Sequence, residues 1–153
     1  MARLFIFGLG YTAERIAQAA SAEGFTVSAT GSAGDVDFDD SEAVASALAQ
    51  AQYVLSSVPP ADDTDPVLDR YGDLLEEKWL GYLSSTGVYG DAEGAWVDER
   101  SPIGEGRRTA RAHCDAHWLE NGARVFRLPG IYGPGRSIFD RLDQGRAHRI
   151  DLP

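Results

Sequence analysis

Six short apolar runs, parted by helix-patterned stretches or tight turns, constrain this chain more than any other feature. They are "RLFIFG" at 3–8, "FTVSAT" at 25–30, "DVDFDD" at 35–40, "YVLSSVPP" at 53–60, "KWLGYLSS" at 78–85 and "ARVFRLPG" at 123–130. Between them lie "YTAERIAQAASAEG", with Ile16 and Ala20 on one face and Gly24 as its stop, and "SEAVASALAQA", opened by Ser41. "DTDPVLDRYGDLLEE" becomes helical after Pro66, "RRTARAHCDAHWLEN" ends at Gly122, and "SIFDRLDQGRAH" is a last short helix. Apolar strands alternating with helices predict a parallel sheet covered on both faces. The expected fold is α/β, a doubly wound parallel sheet in three αβα layers with about six strands. With 153 residues, the expectation is a single domain over 1–153.

The first strand runs into "GLGYTA", a G-x-G-x-x-A motif at the mouth of a helix. In a Rossmann-type sheet the first glycine, Gly8, makes the tight turn. The second, Gly10, lets backbone approach a pyrophosphate, and the third position, Ala13, must be small for helix and strand to pack. The helix mouth offers N–H groups and partial positive charge to phosphate, which adds Tyr11 and Thr12 to the expected site. An acid at the end of the second strand would hold a ribose 2′-hydroxyl, and an arginine there a 2′-phosphate. Neither stands in "SATGSAGD", and Asp35 comes late. Thr30 and Ser32 are suited to hydrogen-bond a 2′-phosphate, so the cofactor expected is NADP or NAD, with a lean to NADP.

"WLGYLSSTGVYGD", together with "GLGYTA" and "RLPGIYGPGRS", resembles the extended and atypical short-chain dehydrogenase/reductases, the NAD-dependent epimerase/dehydratase group. The resemblance implies that Ser85 hydrogen-bonds the reacting oxygen of a substrate, with Thr86 beside it. It places Ser57, Val58 and Pro59 near the nicotinamide ribose, and Pro129 and Ile131 at the nicotinamide end. The family's Tyr-x-x-x-Lys pair falls on Arg107 and Arg111. Arginine stays protonated and is no general base. Arg111 retains the ability to bind ribose or phosphate, and Arg107 an anionic substrate group. Tyr89 and Tyr132 are weak substitutes for the missing base. Thr86-Gly87 replaces the Asp-Glu of dehydratase relatives, which disfavours that mechanism.

Other classes are disfavoured. A net charge of -10 argues against nucleic acid. No apolar run has the length of a membrane span, and "MARLFIFGLG" lacks a signal-cleavage site, so a cytoplasmic protein is expected. Cys114 is the sole cysteine, which rules out an intrachain disulfide or a multi-thiolate zinc cage. His113 and His117 are four apart on a helix, but without a third ligand they read as solvent-facing; no metal is expected. The "PPADDTD" acids read as a solvated loop and helix cap.

Family members run longer, and their C-terminal part supplies a substrate domain. The chain is therefore expected to be C-terminally truncated relative to them. Two readings stay open at this level: an NAD(P)-dependent oxidoreductase or epimerase on a carbonyl or hydroxyl substrate, and a non-catalytic NAD(P)-binding sensor or degenerate fragment lacking the Tyr-Lys pair. A third is a fragment whose free sheet edge pairs with another chain; a homodimer is compatible with the family.

Overall fold

A computed structural model describes residues 1–103 and 109–146 of the chain. Five parallel strands form one sheet: β1 Arg3–Phe7, β2 Thr26–Ala29, β3 Tyr53–Ser56, β4 Trp79–Ser85 and β5 Arg124–Leu128. Their order is β2-β1-β3-β4-β5. The helices are α1 Tyr11–Ala22, α2 Ser41–Gln50, α3 Pro66–Tyr71, α4 Thr109–Glu120 and α5 Ile138–Asp143. This is the expected α/β Rossmann-type architecture.

Period-2 alternation divides β1 between two cores. Phe5 and Phe7 point to one face, where they meet Val44 and Leu48 of α2, Val67, Leu68 and Tyr71 of α3, and Trp118 of α4. Leu4 and Ile6 point to the other, against Ala13, Ile16, Ala17 and Ala20 of α1. A fully buried side chain such as Phe5 or Val54 stabilises the fold by about 1.5–3 kcal/mol. Right-handed crossovers explain the asymmetry. The step from β1 to β2 runs one way along the sheet and puts α1 on one face. The steps to β3, β4 and β5 run the other way and put α2, α3 and α4 opposite.

The sheet has five strands, so the expected strand at "DVDFDD" is corrected. It reduces to one parallel bridge, Thr30 to Val36. Only five residues separate that pair, whereas a parallel crossover needs about 10–12. The following acids serve α2 instead: Asp40 caps it by accepting Ala43 N–H at 3.0 Å. Ser41 is the first helical residue, as expected. The helix expected after Pro66 is short: α3 ends at Tyr71 and passes into a 3₁₀ turn over Gly72–Leu74, and the expected start of α4 at Arg107 lies outside the described residues. Asp65 caps α3 ahead of Pro66, Gly24 and Gly122 follow α1 and α4 at positive φ, and Ser137 opens α5 with a reciprocal capping box to Asp140. No described helix is long and apolar enough to cross a membrane.

Candidate functional site

The sheet reverses its direction of growth between β1 and β3, and ligands of doubly wound sheets sit at the carboxyl ends of strands at such a point. Phe7 pairs with Ser56, so Gly8 and Ser57 emerge side by side. The Ser57 hydroxyl donates to the Gly8 carbonyl at 2.5 Å, and the Gly8 N–H donates to Thr30 Oγ1 at 3.0 Å. Gly8 has φ +82°, and a Cβ there would lie 3.1 Å from both Ser57 Oγ and Val58 Cγ2. Turn geometry and packing both require glycine at this position.

Gly10 differs. Its backbone is extended (φ −98°, ψ −173°), and a Cβ would meet nothing within 4 Å. Nothing among the described residues calls for glycine here. The bare backbone keeps space open in front of α1. No side chain caps α1, whereas Asp40, Asp65 and Ser137 cap α2, α3 and α5. Its first-turn N–H groups lack intrahelical acceptors and face that space. Ala13, fully buried, gives the close helix–strand contact the motif requires.

The space is the floor of a cleft of about 960 Å³. Gly10, Tyr11, Thr12 and Ala13 form one wall, and Ser57 lies at its base. The end of β4, with Ser84, Ser85 and Thr86, forms the second, joined by Arg111 of α4. Pro129 and Ile131 after β5 form the third, continued by Tyr132, Arg136 and Arg141. Among the described residues three arginines and no carboxylate line the cleft, in a chain of net charge -10. A cleft so lined concentrates anions.

Most of the expected residues therefore converge. Gly8 supports the floor from below, and Val58 and Pro59 lie beyond the lining. Thr30 is buried, its hydroxyl accepting from Gly8 and its carbonyl from Leu9 N–H at 2.7 Å. Ser32 is exposed, outside the lining. Asp35 folds back on β2, accepting from Ala29 N–H at 2.7 Å and from Ser28 Oγ at 2.8 Å. Burial opposes its ionisation, but these hydrogen bonds outweigh that and hold the carboxyl below its ordinary range. Arg107 lies outside the described residues. His113 and His117 are exposed, as expected, and Cys114 between them is buried. Of the "PPADDTD" acids, Asp62 and Asp63 are exposed, but Asp65 is buried and also accepts from Trp118 Nε1 at 2.7 Å.

Ser85 accepts from Gly87 N–H at 3.1 Å, which fixes the serine and leaves its own O–H to donate. Arg111 donates to Tyr82 Oη at 2.9 Å. Burial pushes the Tyr82 phenol far up, so it stays neutral and accepts from the guanidinium. Beneath the serine, Ser84 Oγ donates to Asp115 at 2.7 Å. Asp115, with no exposed surface, pairs with Arg127 at 2.7 Å, and Arg127 reaches Tyr89 Oη at 3.1 Å. The Asp115 bond drives the Arg127 guanidinium further up. This network ties α4 to the ends of β4 and β5. It went unread because helical spacing marks Asp115 as off the histidine face without showing its partner. Arg136 and Arg141 were also missed. The signal available was the "GPGRS" turn before a helix start.

No protein-family model and no curated protein matches the chain. Solved structures do. A functionally unknown conserved protein from Silicibacter pomeroyi superposes with TM-score 0.81 at 34% identity, covering 100% of this chain and 61% of that one. A Methylobacillus flagellatus protein, provisionally named an NAD-dependent epimerase/dehydratase, gives 0.74 at 23%, covering 94% and 59%. The Bordetella bronchiseptica enzyme WbmH, solved with NAD+, gives 0.68 at 18%, covering 95% and 64%. The chain spans about three-fifths of the length of these structures and shares their fold.

Proposed function

We propose that the chain binds a nicotinamide dinucleotide, NADP or NAD, and works as an oxidoreductase or epimerase on a hydroxyl or carbonyl substrate. The observation that carries the reading is Gly10: an unstrained glycine with no neighbour, at an uncapped helix mouth, on the floor of a cationic cleft. Such a place suits a pyrophosphate. The name of the Methylobacillus protein and the NAD+ in the Bordetella enzyme support the same reading.

In this reading the N–H groups of Tyr11, Thr12 and Ala13 hold the pyrophosphate, and Ser57 supports the floor. Pro129 and Ile131 line the nicotinamide end, and Arg111 keeps donors beyond its bond to Tyr82 for a ribose or phosphate oxygen. Bound there, the nicotinamide supplies hydride transfer. Ser85, held by Gly87 and free to donate, polarises a substrate oxygen, with Thr86 beside it. Asp35 spends its oxygens on Ala29 N–H and Ser28 Oγ and is turned to β2 rather than to a ribose 2′-hydroxyl, which supports the lean to NADP. An acidic chain with one cysteine and this cofactor suits the cytoplasm.

Titration of the purified chain with NADPH and NADH, followed by nicotinamide fluorescence, tests the proposal. Saturable binding of either is expected, with NADPH the tighter. A folded chain that binds neither refutes it.

A further inference from the structure

The cleft carries more positive charge than a helix mouth alone supplies, and one source of it is tied to that mouth. Tyr11, the first residue of α1, reaches across the cleft and donates its hydroxyl to the Pro134 carbonyl at 3.1 Å. A Cβ on Gly133 would come within 2.3 Å of that hydroxyl oxygen, so a side chain there would displace the Tyr11 hydroxyl from the turn. The turn is closed on itself: Gly133 N–H donates to the Arg136 carbonyl at 3.2 Å, and Arg136 N–H to the Gly133 carbonyl at 2.9 Å. It delivers the Arg136 guanidinium to 5.4 Å from the Tyr11 ring centroid. The other occupant of that ring, Arg15 at 3.5 Å, is already bonded to the Tyr11 carbonyl at 2.7 Å. Among the described residues Arg136 forms no ion pair.

The geometry points to Arg136 as the second half of the anion site: it grips the dinucleotide pyrophosphate from across the cleft, opposite the α1 N–H groups, with Tyr11 as the residue that positions it. This rests on the dinucleotide reading above. A guanidinium matches the paired oxygens of a pyrophosphate, and charge-assisted hydrogen bonds are the strong ones. The ligand class is thus a nucleoside diphosphate moiety rather than a lone nucleoside.

Calorimetric titration of the whole chain with NADH, ADP-ribose and adenosine separates the two claims. Wild type, Arg136→Gln, Arg136→Lys and Tyr11→Phe are compared, each checked for folding by circular dichroism. Arg136→Gln is expected to weaken ADP-ribose and NADH by about tenfold or more, with lysine recovering part of the loss. Adenosine binding stays unchanged, and the salt dependence of ADP-ribose binding falls. Tyr11→Phe keeps the ring but frees the turn, and weakens both diphosphates to a smaller extent. If wild type binds NADH and Arg136→Gln binds it equally well, the clamp is refuted and the dinucleotide site stands. Equal weakening of adenosine refutes the clamp too. If wild type binds none of the three, both claims fall.

Discussion

Replacing Asp115 with alanine should cost several kcal/mol of stability. The carboxylate is wholly buried and accepts three hydrogen bonds: from Arg127 at 2.7 and 3.1 Å, and from Ser84 at 2.7 Å. Its removal leaves the Arg127 guanidinium, whose side chain is 12% exposed, without its counter-charge. Breaking one side of such a pair costs about 3–5 kcal/mol, most of it the penalty on the charge left behind. At about 2–4 °C per kcal/mol for a chain of this size, the melting temperature should drop by roughly 6–20 °C. Urea unfolding at constant slope gives the free energy directly. Arg127→Met added to Asp115→Ala should recover part of the loss, because no charge is then stranded. An alanine variant destabilised by less than about 1 kcal/mol, with no coupling to Arg127→Met, would refute the claim that this pair holds α4 to the sheet.

Gly34→Ala places a Cβ 2.2 Å from the Ala29 carbonyl oxygen, so the turn after β2 must shift, at about 1–3 kcal/mol in urea unfolding. Asp35 sets a pH dependence. Its folded-state carboxyl is held below the usual range, so its contribution is present above the unfolded pKa and is lost as pH falls through the lower folded value. Asp35→Asn should flatten the acid limb of stability below about pH 4 and change nothing in that slope near neutrality. Cys114 is buried and its thiol is pushed up to about 11, by burial first and then by the Asp65 charge. It should resist alkylation at pH 8 in the native chain and react at once in denaturant, as mass spectrometry will read.

Five strands, the start of α3 at Pro66 and the stops of α1 and α4 at Gly24 and Gly122 were legible in local sequence because period and punctuation are local signals. The acids of "DVDFDD" misled because a strand pattern says nothing of connection length; the five residues after Thr30 cannot make a crossover. In the site, the motif separated its two glycines by role, and the structure gives each a different surrounding. The Tyr11–Pro134 bond joins residues 123 apart in sequence, so no local pattern could announce it. Ser84 and Asp115 were visible as residue types, but their meeting depends on how α4 packs on β4.

Gly10→Glu, titrated with NADPH and NADH beside wild type, tests the central claim most directly. The new side chain enters open space, and an acid at a helix mouth does not harm the fold. The account predicts an unchanged melting temperature and loss of saturable binding that wild type shows. A folded Gly10→Glu chain that binds as tightly as wild type would contradict it, because the ligand would then not sit where the second glycine leaves room.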